Sequence, residues 1–207
     1  MFDHPVAHPA WYWASGLYWP EVSPTDQVAY ITRLFEDSGS LLAVYSNAQI
    51  DQALIYLISP ASMAMRVLSD EDVLWPDRKR CLLSFYEVYR QVFALRCSPG
   101  MSHLDQVDNA LNGVCYMWWD YVLTFGNIDG PHSEEMNRLI FDLLKMMLEL
   151  DSEPCREGAF HGFGHLRFDY PAREEITAVV DQFLAQNENM SPELRAYGFA
   201  AAVGQVQ

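Results

Sequence analysis

The sequence predicts an all-α protein: a compact, irregular HEAT-like stack of about eight or nine helices forming a single domain. Three observations carry that prediction. Apolar residues recur at three- and four-residue spacing along most of the chain past residue 22. Serine, proline and acidic residues fall repeatedly in the order that starts a helix. No stretch alternates convincingly at period two, and Leu41 to Tyr45 is the single short β-like run.

Residues 1–22 hold Trp11, Tyr12, Trp13, Tyr18 and Trp19 ahead of the first helix. As a free tail they would expose a large apolar area, so the segment is expected to lie as a strap across the helices of 23–207. Ser23-Pro24-Thr25-Asp26 supplies an N-cap, a proline at the first helical position and an acid two residues later, and this helix runs to Asp37. Ser46-Asn47-Ala48-Gln49 has capping-box spacing, and Ile50, Leu54, Leu57 and Ile58 form the apolar face of a helix that Pro60 ends. A short helical piece at Met63 to Leu68 leads into the acidic loop Ser69 to Asp72. Trp75-Pro76-Asp77 then opens a long helix to Cys97, with Leu82, Phe85, Tyr89, Val92 and Phe93 inward and Arg80, Ser84, Glu87 and Gln91 outward.

Pro99-Gly100 stops that helix. Ser102 and Asp105 read as a further capping box, starting a helix to about Phe125, before the turn residues Gly126, Asp129, Gly130 and Pro131. From Ser133, Met136, Leu139, Ile140, Leu143, Leu144, Met147 and Leu150 make a wide stripe. Phe141, Met146 and Leu148 widen it further, which predicts a helix covered on more than one side and therefore central. Shorter helices are expected at 154–164, 172–186 and 192–203.

Composition excludes several functions. With 13 Lys and Arg against 28 Asp and Glu, the formal charge is −15, which repels polyanions and disfavours nucleic acid as a ligand. Half of the chain is hydrophobic, too much for a disordered acidic segment. No apolar run approaches the roughly 18 residues of a membrane-spanning helix. The first cation is Arg33, so a signal peptide's basic region is missing and a cytoplasmic protein is expected. Cys81, Cys97, Cys115 and Cys155 lack CxxC spacing and read as free core thiols.

No GxSxG, P-loop or GxGxxG is present. His161-Gly162-Phe163-Gly164-His165 places two histidines on one helix face, a spacing compatible with zinc. The hydrolase motif puts a Glu after the first His, and here that position is Gly162. Structural histidines, with no metal and no cofactor, are the expectation; a metal-dependent hydrolase using His161 and His165 is the enzymatic alternative. Gly158, Gly162 and Gly164 suit the close approach of another helix.

Charge and aromatic area coincide at two places. On the helix expected at 102–125, Asp105, Asp108 and Asn112 share a stripe with Tyr116 and Trp119, and Asp120 lies at its edge. Either a neighbouring helix covers these aromatics, or they form an anchor for a basic partner. Asp70, Glu71, Asp72 and Asp77 surround Trp75, as a solvated helix start or as a second patch of the same kind.

Three segments carry a family resemblance: Tyr45-Ser46-Asn47-Ala48-Gln49-Ile50, Cys115-Tyr116-Met117-Trp118-Trp119-Asp120, and Cys155 to Leu166. Over about residues 25–186 the chain resembles a group of bacterial all-helical proteins with segments of the CxESALHGLGHL type. Gly158 and Phe160 stand where that pattern has Ser and Leu; packing survives the change and a catalytic serine does not. The group is similar to HEAT-like proteins encoded beside secreted polymorphic or Rhs-type toxins. The resemblance implies a non-enzymatic immunity protein that occludes a toxin domain with a basic surface. A HEAT-like interaction adaptor is the other binding function the fold would allow.

Overall fold

Local side-chain capping decides where the first and third helices begin. The computed structural model describes residues 1–14, 21–124, 130–168 and 170–206; Tyr18, Trp19, Phe125, Gly126 and Asp129 lie outside the described residues. Helix α1 (Pro24–Glu36) starts where Ser23 Oγ accepts the Asp26 N–H at 3.1 Å. A single turn, α2 (Ser38–Leu41), follows, and the adjoining β-like run is turn structure with Leu42 buried. Helix α3 (Asn47–Ile58) carries the expected reciprocal capping box of Ser46 and Gln49. A 3₁₀ turn at Ala64–Leu68 leads to α4 (Trp75–Val88), which continues through a π turn at Tyr89–Phe93 into α5 (Ala94–Arg96). Then come α6 (Ala110–Thr124), α7 (Ser133–Leu148), α8 (Glu153–Leu166), α9 (Arg173–Gln186) and α10 (Pro192–Ala202). The chain is all-α, with no strand among the described residues.

One helix start differs from the sequence expectation. Ser102 to Leu104 form only a 3₁₀ turn, Asp105 takes a left-handed conformation at φ 53°, and α6 begins at Ala110. The cause is tertiary. The Glu157 carboxylate of α8 accepts the backbone N–H groups of Ser102 at 2.9 Å and His103 at 3.0 Å, which anchors this short turn to α8, and left-handed Asp105 ends it. Asn109 caps α6 instead, its side-chain oxygen accepting from Leu111 N–H and its amide donating to the Arg96 carbonyl.

The central helix is α8 rather than α7. Eleven of the fourteen α8 residues are buried, whereas Met146 of α7 is 45% exposed. Helix α8 packs on α6, α7 and α10, while α1 packs on α4 and α3 on α6. Several of these pairings skip sequence neighbours, and one continuous hydrophobic core joins them. Ser84, expected to face outward, is buried and donates to the Cys81 carbonyl at 2.6 Å.

The described part of the N-terminal segment lies across α3 as a strap. Gln52 accepts from the Ala7 N–H and donates to the Ala7 carbonyl, Gln49 donates to the Phe2 carbonyl, and buried Trp11 packs on Tyr56. Among the described residues no helix is long and apolar enough to cross a membrane.

Candidate functional site

Glycines bring α6 and α8 together. A Cβ on Gly158 would sit 2.7 Å from the Cys115 carbonyl oxygen, and one on Gly162 would sit 2.8 Å from the Trp119 ring. The backbones therefore approach closely, as the glycine spacing suggests. This contact settles the first aromatic patch: Trp119 is fully buried, and Tyr116 is 7% exposed. Both aromatics are covered by a neighbouring helix, and neither is an exposed anchor. Asp105 and Asp108 remain exposed, in the loop before α6 rather than on its face.

What α6 and α8 enclose is polar. His161, buried to 1%, lies 2.7 Å through Nδ1 from the Tyr197 hydroxyl, which is 3.0 Å from the Tyr116 hydroxyl. On its other side, His161 Nε2 is 3.1 Å from His165 Nε2, and His165 Nε2 is 3.5 Å from Asp120 Oδ1. Burial, then the neighbouring His165 and His103, lowers the His161 pKa to about 3, so the imidazole is neutral at ordinary pH. Burial raises the Tyr197 and Tyr116 hydroxyls, which stay protonated as donors.

Beside this chain of groups lies the Glu157 carboxylate, fully buried. Leaving water costs such a charge several kcal/mol unless donors surround it. Three do: the two backbone N–H groups of the 3₁₀ turn and His103 Nδ1, at 2.7 Å. His103 stacks on Tyr197 with centroids 4.2 Å apart. His103, Tyr116, Tyr197 and Gln205 line a recess of about 430 Å³ at the surface.

No protein-family model matches the chain, and neither a curated protein nor a solved structure matches it significantly.

The second acidic patch is on the surface. Glu71, Asp72 and Asp77 are exposed and Asp70 is partly so, with Leu74 71% exposed among them. Asp70 Oδ1 accepts the Asp72 N–H at 2.9 Å, which shapes the loop. Trp75 is less available than its position suggests. Its ring stacks on His132 at 4.6 Å, with the buried Arg78 guanidinium 5.4 Å from the ring centre. The structure thus divides the expected site residues into four groups: Tyr116 and Trp119 in the core, Asp120 beside the histidines, Trp75 half-buried against His132, and Asp70, Glu71, Asp72, Asp77, Asp105 and Asp108 at the surface.

Sequence reading missed Glu157, Tyr197 and His103. Glu157 stands at a fully buried helical position inside CREGAFHGFGH, next to a close-approach glycine, and that placement is the signal that marks it. Nothing near Tyr197 or His103 in sequence announces their meeting, because it depends on how α10 packs on α8.

Proposed function

We propose that the protein is an immunity protein that binds a toxin domain with a basic surface and covers its active site or substrate cleft. It acts by occlusion and not as an enzyme. The observation that carries this reading is how the charges are distributed. Many cations serve the chain itself: Lys79 pairs with Glu135, Arg80 with Glu36, Arg90 with Glu87, and Arg138 with Asp142 and Glu175. Arg96 donates to the Leu42 and Tyr45 carbonyls, and Arg195 to those of Leu184 and Asn187.

Asp70, Glu71, Asp72, Asp77, Asp105 and Asp108 make no salt bridge among the described residues. Their field is left to act outward. A toxin that handles nucleic acid or nucleotides presents a basic cleft, and such a field speeds encounter with it by a factor of roughly 10 or more at low salt. Exposed Leu74, within the acidic loop, supplies apolar area for the bound state. The resemblance to toxin-associated helical proteins points the same way.

Co-expression with a secreted toxin encoded beside the gene is the test. Rescue of growth and a stable complex on size exclusion are expected. Growth arrest despite abundant soluble protein, with no complex, would overturn the reading.

A further inference from the structure

We propose that Asp120, His161 and His165 form a binding site for a divalent transition-metal cation, with zinc the best fit. The ligand atoms are already gathered: one atom from each of the three lies within 4.8 Å of the others. Zinc bonds to nitrogen and oxygen of about 2.0–2.1 Å in tetrahedral geometry place neighbouring ligand atoms about 3.3 Å apart. The two separations through His165 Nε2 are 3.1 Å to His161 Nε2 and 3.5 Å to Asp120 Oδ1.

The hydrogen bonds fix the nitrogen that faces the ion. His161 Nδ1 is turned to the Tyr197 hydroxyl, itself paired with the Tyr116 hydroxyl, so Nε2 is the nitrogen that faces His165; cation binding takes the tautomer in which Nδ1–H donates to Tyr197. That tautomer leaves the Nε2 lone pair aimed at His165 and Asp120. An outer hydrogen bond of this kind orients metal-binding imidazoles generally. Without a cation, one of the two Nε2 atoms, 3.1 Å apart, donates to the other. With a cation, His165 adopts the Nδ1–H tautomer and both Nε2 lone pairs point at the metal.

Ligand chemistry selects the class. Two imidazoles and one carboxylate suit zinc and its neighbours, while calcium and magnesium prefer all-oxygen sets. The cation has a path in, since the His165 and Asp120 side chains are 30% and 39% exposed. Three protein ligands leave a fourth position for water. The site is built across the helix contact, with the histidines one turn apart on α8 and Asp120 brought beside them because Gly162 lets the Trp119 ring approach. It is independent of the acidic loops and of the toxin-binding reading.

The test uses the intact chain, stripped with a chelator and titrated with Zn²⁺ by calorimetry and with Co²⁺ by visible absorption. One ion per chain, micromolar or tighter, with the strong absorption of tetrahedral cobalt and a raised Tm, is expected. His165→Ala and Asp120→Asn, both at partly exposed positions, each weaken binding at least 100-fold while circular dichroism stays unchanged. Tyr197→Phe leaves all three ligands and weakens binding about 10–100-fold. No uptake by folded protein, or equal affinity in the His165→Ala and Asp120→Asn variants, would overturn the proposal.

Discussion

The contact between α6 and α8 and the acidic loop ahead of α4 use the same residue types to opposite ends. At the helix contact a carboxylate, Glu157, is fully buried and met by three donors, and aromatics of α6 fill the core. In the loop, Asp70, Glu71, Asp72 and Asp77 lie at the surface with no salt bridge among the described residues. One region converts polar groups into fixed geometry, and the other leaves charge available at long range. A net charge of −15 is therefore not one property. Its structural share lies in groups such as Glu157; its interactive share lies in the loops.

The sharpest way to break the comparison is at Trp119. Trp119→Ala removes a fully buried indole and leaves a cavity between α6 and α8 that helix backbones cannot close, so it is expected to destabilise by about 3–5 kcal/mol in urea unfolding. Gly158→Ala comes next. Its new methyl meets the Cys115 carbonyl oxygen, a backbone atom that cannot rotate aside. Despite the higher helix propensity of Ala, a net loss of about 1–3 kcal/mol is expected, measured the same way.

These two residues show where the sequence was legible. Helix starts set by neighbouring residues, such as Ser23 with Asp26 or Ser46 with Gln49, were readable because donor and acceptor are three residues apart. The start of α6 was not, since the acceptor for Ser102 N–H is Glu157, fifty-five residues away in sequence. The choice between a covered and an exposed face for Tyr116 and Trp119 was not legible for a related reason: a helical wheel shows which residues share a face but not which neighbour covers it. His161 and His165 were placed on one face by spacing alone, whereas Asp120 joins them through the helix contact. The glycines carried the missing information, because spacing of four at Gly158 and Gly162 marks a surface another helix approaches.

Asp51 provides an intermediate case, a carboxylate shielded near the N-terminal strap. Burial raises its pKa from 3.8 to about 7. The folded state thus holds a proton that the unfolded state gives up near pH 4. The stability contributed is complete below about pH 4 and is lost as pH rises through 7. Asp51→Asn removes that dependence. The variant is expected to match the wild type near pH 4 and to exceed its Tm at pH 8; equal Tm differences at both pH values would show that the carboxyl is not shielded.

The smallest effect on stability is expected from the loop, and it is the most informative for function. Combining Asp70→Asn, Glu71→Gln, Asp72→Asn and Asp77→Asn removes four charges without removing any core atom. The amide introduced by Asp70→Asn keeps an oxygen for the Asp72 backbone N–H, and Asp77 contributes a helix-dipole interaction of about 0.3–1 kcal/mol and a weak attraction to the exposed Arg80 guanidinium. Stability should change by no more than about 1 kcal/mol, so any change in partner binding belongs to the field itself. If the loop steers a basic toxin domain, association in stopped flow slows about tenfold or more at low salt, while dissociation changes less. The two proteins should then converge as ionic strength rises and the screening length falls to about 8 Å at 0.15 M. A variant that associates as fast as the wild type at every salt concentration would move the binding surface elsewhere, with the exposed loop at Asp105 and Asp108 as the next place to remove charge.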